Sequence, residues 1–283
     1  MSDKSYLSVY AKSFSWAGFF LPRETLRKCS LLYDFCRVAD NIADAKDEIE
    51  VKEKKFAEFE NDFNQKKFDN LIIKNMWGIM EEFEISIKIV QDLLAGIKSD
   101  IKKRVELNSK KDLLIYSYRV AGTVGLMMAK ILNVTKKNSL KSAIDLGIAM
   151  QLTNISRDVL EDSKNNRFYI KENFEKISST VNLANRFYQD SFYAIKSIPI
   201  SFRFSILVAR RVYRKIGYKI LKKKNLENYQ RSGKIYVSNI EKALETFLSI
   251  FDLIALYLIN ENEDQIQHDH TLINEEINLN ERI

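Results

Sequence analysis

Apolar residues recur at helical rather than strand spacing along most of this chain. Between Arg23 and Asp44 they fall at Leu26, Cys29, Leu32, Phe35 and Cys36, one side of a long amphipathic helix. Residues 3–20 precede it and end at Leu21-Pro22. Pro22 suits a helix start, where its missing N–H does no harm. The charged stretch Asp47 to Asn75 carries Phe56, Phe59 and Phe63 at i, i+3 and i+7, the stripe of a helix packed on one side only. Ile79 to Ile101 reads as a helical stretch interrupted at Gly96. Asp112 to Leu132 reads as another, holding the pair Gly122 and Gly125. Leu140 to Asp162 is the next clear helix, Ser163 to Arg167 a loop, and helices resume from about Ser179 to Ile259. Within that last stretch Thr246 to Ile259 is mostly apolar but broken by Asp252. It falls short of the roughly 20 residues that span a bilayer, so it reads as a buried core helix.

Composition agrees with an all-α chain. Only 8 Gly and 2 Pro punctuate 283 residues, too few for a sheet built on tight turns. With no internal repeat or linker, the pattern gives one helical domain over residues 1–259. The acidic, Asn-rich residues 260–283 read as a disordered or loosely docked tail. Cys29 and Cys36 share a helix without the approach geometry of a disulfide and are expected as buried thiols. The N-terminus leads into no signal-peptide apolar run, so the expected location is the cytoplasm.

The formal charge of +7 conceals an asymmetry. Residues 260–283 hold seven acids and one arginine, and removing those six net negative charges leaves +13 on the first 259 residues. Such a surface suits nucleic acid, anionic lipid headgroups or phosphorylated small molecules. Nucleic acid fits poorly, because the lysines are scattered apart from Lys222-Lys223-Lys224 and no zinc-finger or RNA-binding aromatic motif accompanies them. Peripheral contact with an anionic membrane, at its inner face, fits better.

The candidate chemistry lies in two segments. Asp40 and Asp44 are four apart, so on a helix their carboxylates share a face about 6 Å apart. Like charges there repel, and a cation between them would relieve the cost, although two solvated aspartates on an exposed face would look the same. The second segment has Asn154, Asp158 and Asp162 at i, i+4 and i+8, with Gln151 one turn earlier, on a largely apolar helix. A polar stripe in that setting needs a partner. The only histidines, His268 and His270, lie in the tail, and both cysteines are on the other helix. Oxygen donors without imidazole or thiolate indicate Mg²⁺ or Mn²⁺, which commonly bind one or two carboxylates together with substrate phosphate. Arg37, Arg157 and Arg167 stand near the acids and could hold phosphate, or equally form ordinary intrahelical ion pairs. A histidine-based acid–base mechanism cannot be assembled. Ionisation of an allylic diphosphate needs none, and Phe14, Tyr33, Tyr116 and Tyr118 offer faces to a carbocation, though each taken singly is better explained as core.

Lys12-Ser13-Phe14-Ser15-Trp16 with Leu21-Pro22, Leu32 to Arg37, Tyr116 to Gly125 and Gln151 to Tyr169 resemble the successive signatures of the squalene/phytoene synthase family, in family order, over roughly residues 5–245. The strongest piece is Asn154 to Asp162 followed by Arg167-Phe168-Tyr169. Within the family, Tyr116 to Met128 is most similar to bacterial phytoene synthases. The resemblance implies a single-domain isoprenoid synthase fold with helices around a central cavity. It also implies head-to-head condensation of two prenyl diphosphates through a cyclopropylcarbinyl diphosphate. By resemblance, Asp40, Asp44, Asp158 and Asp162 bind Mg²⁺, and Asn154 joins that site. Arg37, Gln151, Asn154 and Arg167 then hold diphosphate, and Ser13, Tyr33, Tyr116 and Tyr213 line the diphosphate and cation region. The implied reaction joins two geranylgeranyl diphosphates to phytoene without a reductant. The alternatives are a squalene or hydroxysqualene type synthase using farnesyl diphosphate, and a non-catalytic respiratory-complex assembly factor, which would be expected to lose these acids or arginines. Asn41 stands where many members carry a further acid.

Overall fold

Residue chemistry sets the helix boundaries. The computed structural model describes residues 12–258 and 270–283, with side chains from Ser15 onward. After a short helix α1, Lys12–Gly18, Pro22 caps α2, Arg23–Asp44, with the boundaries the pattern predicts. Its apolar stripe is buried through Cys29, Leu32, Phe35, Cys36 and Ala39. Helix α3, Ile49–Asn64, buries Phe56, Phe59 and Phe63, and the Phe59 and Phe63 rings each lie 5.3 Å from Phe35 of α2. Helices α4, Leu71–Glu82, and α5, Ile87–Lys98, follow.

The break in that helical stretch differs from the expectation. It falls at residues 83–86, where Glu84 has φ of 51° and the Ser86 hydroxyl accepts from Lys88 N to start α5. Gly96 lies inside α5 instead, where a Cβ would sit 2.6 Å from Arg119 Cβ, so its role is close packing.

A capping box at Ser109 and Asp112 starts α6, Lys110–Ser117. One π-helical turn, Tyr118–Gly122, then joins α6 to α7, Thr123–Ile131. Helix α8, Lys137–Lys164, is the centre of the molecule, and α7, the π turn and the two long helices that follow α8 all pack against it. It is buried along most of its length, and its fully exposed positions are confined to its ends, at Lys137, Glu161 and Lys164. Two of its buried hydroxyls are satisfied within the helix, Thr153 donating to Ala149 O and Ser156 to Leu152 O, each at 2.8 Å. Gly125 and Gly147 bring the π turn and α7 directly onto α8. A Cβ at either would lie 2.2 Å from a carbonyl oxygen, of Ala143 and Ala121 respectively. The chain continues through α9, Phe174–Asp190, α10, Ile200–Leu221, α11, Leu226–Arg231, and α12, Asn239–Leu258. The two strands among the described residues are two residues each. β1, Val105–Glu106, pairs in parallel with β2, Arg167–Phe168, Val105 opposite Arg167.

Two expectations are corrected. The apolar stretch of α12 is mostly not core, because the helix turns Lys242, Glu245 and Ser249 inward and most of its large apolar side chains outward, Leu256 alone among them being fully buried. Residues 270–283, expected to be part of a loose tail, dock on the body. A short helix, α13, Thr271–Asn274, buries Ile273, and Ile277 and Leu279 follow it into the core. The acids of this segment meet the basic body: Glu275 pairs with Lys111 at 2.8 Å, Glu276 with Arg119 at 2.9 Å and Glu281 with Lys88 at 2.8 Å. His270 is therefore a core histidine, 2.5 Å from the buried Asp145. Asp145 lies thirteen residues before Asp158 on α8, about 20 Å along the helix.

Candidate active site

Both acidic pairs sit at helix C-termini. Asp44 is the last residue of α2, and Asp162 lies in the last turn of α8. Free carbonyls there carry partial negative charge, so the backbone adds to the attraction for a cation. Arg167, on β2 just beyond α8, reaches across to α2 and pairs with Asp44 at 2.8 Å, which ties the two motifs together. The parallel pairing of β1 with β2 holds Arg167 beside the segment that follows α5.

That segment supplies Asp100, an acid that sequence reasoning missed. Asp100 accepts from the Tyr116 hydroxyl at 2.7 Å and the Tyr169 hydroxyl at 2.8 Å, and the two hydroxyls are 3.0 Å apart. Their rings stack at 4.7 Å. Burial and the Asp100 charge push the Tyr116 phenol well above its usual range, so it stays protonated and donates.

The acids carry the electrostatic signature of a shared site. Burial, and then Asp44, push the Asp40 carboxyl up to about 7, against the pull of Arg37 and with a further push from Asp100. Burial, and then Asp158, likewise push Asp162 up to about 7, opposed by Arg167. Carboxylates crowded out of water and against each other favour protons or a metal ion. For Arg167 burial acts downward, but Tyr169, Asp100 and Asp44 outweigh it and hold the guanidinium charged.

On α8, Asp158 is gripped by Arg157, whose Nε donates at 2.9 Å and whose second nitrogen is closer still, and Lys234 stands 3.5 Å away. Lys234 also pairs with Glu161 at 2.6 Å. Tyr229 of α11 donates to the carbonyls of Ser156 and Arg157 at 3.0 and 2.8 Å, fixing the backbone beside Asp158. Neither Lys234 nor Tyr229 was visible as a site residue in the sequence. Gln151 and Asn154 are partly exposed on the same helix. Tyr33 on α2 and Tyr213 on α10 complete the surroundings, for Tyr213, pushed up to about 12 by burial, feels Arg157, Tyr33 and Asp158. The side chains of the predicted residues Ser13 and Phe14 lie outside the described residues. Tyr118 is turned away, donating to Asp92 at 3.0 Å, so it offers no face to this site. Asp162 and Arg167, with Ile155, Val159 and Tyr169, border a cleft of about 10 Å³, room for a single water.

The donor set fits a hard divalent cation. Among the described residues no three acidic, His or Cys side chains converge on one point. Each ion would therefore share one or two carboxylates with substrate phosphate, the habit of Mg²⁺. The two thiols, Cys29 and Cys36, are buried on α2, and that burial pushes both well above the usual thiol range, so they stay protonated and poorly suited to bind a metal.

Residues 7–174 match the family model for squalene/phytoene synthase. The chain belongs to that family. It is 29% identical to a 15-cis-phytoene synthase of Pantoea ananas, covering 76% of this chain and 80% of that one. It is 26% identical to the chloroplastic phytoene synthase 2 of Solanum lycopersicum, covering 83% and 84%. Among solved structures, a dehydrosqualene synthase in complex with ligand superposes with a TM-score of 0.71 at 26% identity, covering 89% of this chain and 95% of that one. A squalene synthase from Alicyclobacillus acidocaldarius superposes with a TM-score of 0.66, covering 79% and 91%, and at 16% identity it shows the fold alone. This family member has the all-α isoprenoid synthase fold and is a prenyltransferase-type enzyme of head-to-head prenyl diphosphate condensation.

Proposed function

We propose that this enzyme joins two geranylgeranyl diphosphates to 15-cis-phytoene in a divalent-metal-dependent reaction that needs no reductant, and that it works in the cytoplasm against the membrane's inner face. The observation that carries the site assignment is the Arg167–Asp44 bridge, which joins the α2 and α8 acidic pairs around one space. The choice of substrate and product is supported by the phytoene synthases among its relatives.

In this reading Asp40 and Asp44 from α2, and Asp158 and Asp162 with Asn154 from α8, would hold Mg²⁺, whose chemistry when bound would be to draw charge from the departing diphosphate. Arg37, Arg167 and Gln151 take the remaining diphosphate oxygens. Arg157 and Lys234, paired with Asp158, stand close enough to the acids that they would also reach a bound diphosphate. The Tyr116–Asp100–Tyr169 cluster keeps two protonated hydroxyls fixed at the edge of the site. Tyr33 and Tyr213 present aromatic faces to the carbocation left when the allylic C–O bond breaks.

A second reading has its own support. The dehydrosqualene synthase superposition, at 26% identity, favours farnesyl diphosphate as substrate. Purified protein is incubated with Mg²⁺ and either geranylgeranyl or farnesyl diphosphate, with and without NADPH, and the hydrocarbon identified. Phytoene from the C20 substrate without NADPH is the expected result. Turnover of farnesyl diphosphate alone would overturn the substrate assignment.

A further inference from the structure

Helix α12 is amphipathic in the reverse sense. Its acids form the inward stripe. Asp252 takes both Arg211 Nε and Nη2 at 2.6 Å, Glu245 pairs with Lys215 at 3.0 Å, and Glu241 pairs with Lys219 at 2.7 Å. These partners run down α10 as the acids run up α12, so the two helices are antiparallel and joined by charge. The opposite face of α12 carries Ile240, Leu244, Phe247, Phe251, Ile254 and Leu258, with exposures from 50% to 84%. No charged residue occupies an exposed position on this helix. With Ile250 and Tyr257 included, the apolar strip is about 30 Å long and on the order of 800 Å², above the roughly 300–600 Å² of the largest patch on an ordinary monomer.

Beside the strip, between α10 and α12, lies a groove of about 500 Å³. Arg210, Arg211, Arg214 and Lys215 line it against the carboxylates of Glu245 and Asp252, leaving it with two more positive charges than negative. Arg210 and Arg214 are braced over the rings of Phe192 and Tyr218, at 4.7 and 5.3 Å. At the far end of α10, which the antiparallel pairing sets beside the start of α12, come Lys222, Lys223 and Lys224.

We propose that this face is a membrane-docking surface. The apolar ridge of α12 enters the acyl region of an anionic bilayer, and the α10–α12 groove and the lysine run take lipid phosphates at its edge. An uncharged ridge flanked by cations matches the layering of an anionic leaflet, hydrocarbon beside phosphate. A second copy of the chain matches less well, because face-to-face pairing would oppose two surfaces of like charge. The surface rests on its own geometry; only its use, exchange of long hydrocarbons with the bilayer, rests on the function proposed above.

The test is co-sedimentation of the full-length protein with vesicles of phosphatidylcholine alone or mixed with phosphatidylglycerol. Wild type is expected to bind the mixed vesicles in a salt-sensitive manner. The double variant Phe247→Glu/Phe251→Glu, which alters only exposed side chains, is expected to lose binding at least about tenfold while keeping its circular dichroism and its turnover of detergent-dispersed substrate. Arg214→Gln is expected to weaken binding to the anionic vesicles only. Equal sedimentation of wild type and double variant overturns the proposal, as does failure of wild type to bind either vesicle. So does a wild-type dimer in sedimentation velocity that the double variant splits, since the ridge would then be a subunit interface. Absence of turnover in detergent would count against the enzymatic reading and leave the vesicle result standing.

Discussion

Replacing Asp40 by asparagine should stabilise the metal-free protein at alkaline pH and destabilise it relative to wild type once metal and diphosphate are bound. Burial and Asp44 raise the Asp40 carboxyl from 3.8 to about 7. The folded state then binds more protons than the unfolded state between those values. The group's contribution is fully present below the unfolded value and is lost as pH rises through about 7. At about 1.4 kcal/mol per unit, ionised Asp40 costs the metal-free fold at most about 4 kcal/mol at pH 8, and about 2 kcal/mol once its coupling to Asp44 is discounted. The amide of the Asp40→Asn variant imitates the protonated acid and escapes that cost. A gain of about 2 kcal/mol raises Tm by roughly 4–8 °C in a domain of this size. At pH 5 the folded Asp40 is protonated while the unfolded carboxyl is already ionised, so the gap narrows to about a third of its size at pH 8 and closes only below about 3.8. With Mg²⁺ and inorganic pyrophosphate at about a hundred times their Kd, wild type gains about 2.7 kcal/mol and the variant much less, so the order reverses. Thermal melts at both pH values, with chelator or with Mg²⁺ and pyrophosphate, read all four conditions. A variant that melts below wild type at pH 8 in chelator refutes the assignment of Asp40 to a crowded, cation-seeking site.

Three further predictions test the surrounding structure. Asp100→Ala removes the acceptor shared by Tyr116 and Tyr169 and should lower turnover about a hundredfold, whereas Tyr169→Phe, which keeps the Tyr116–Asp100 bond, should cost less than about tenfold; equal losses in a product assay contradict the shared-acceptor geometry. Gly147→Ala places a methyl 2.2 Å from Ala121 O and should destabilise by about 2–3 kcal/mol in urea titration despite the roughly 1 kcal/mol helix-propensity gain, and an unchanged midpoint would mean that α8 and the π turn are not in direct backbone contact. His270→Ala removes a buried hydrogen bond to Asp145 and should cost about 2–3 kcal/mol in the same titration, a loss that a detached C-terminal segment would not show.

The helices were legible where a local rule specifies them. Pro22 and a one-sided apolar stripe set α2, and an all-round apolar run with an oxygen stripe near its end set α8, so pattern alone puts both acidic pairs on helices. What stayed hidden was set by contacts distant in sequence. Asp100 follows the end of α5 with no partner nearby in the chain, and its role depends on tyrosines sixteen and sixty-nine residues away. Lys234 and Tyr229 act on α8 from more than seventy residues downstream. The C-terminal segment was misread for a related reason. Its acidity suggested a solvated tail, yet acids beside a body of +13 are also what a docked segment requires, and residues 270–283 carry three of them. Glu275, Glu276 and Glu281 find Lys111, Arg119 and Lys88 while Ile273, Ile277 and Leu279 enter the core.

Helix α12 shows a different limit of pattern reading. Periodicity gives the angle between two faces of a helix but not which of them meets the protein, and the usual assumption is that the apolar face does. Here the neighbour decides. Arg211, Lys215 and Lys219 recur every fourth residue along α10, and Glu241 and Glu245, with Asp252 beyond them, keep a matching spacing on α12. Packing the apolar face of α12 inward would strand those cations against hydrocarbon, at several kcal/mol for each unpaired buried charge. Packing it outward pairs all three and leaves the ridge to find an apolar medium elsewhere. Charge reversal on the inward face tests this orientation. Glu245→Lys should detach α12 from α10 and lower stability by about 3–5 kcal/mol, whereas Phe247→Glu on the outward face should change stability by less than about 0.5 kcal/mol. Similar losses from both substitutions would mean that the helix is packed the other way round.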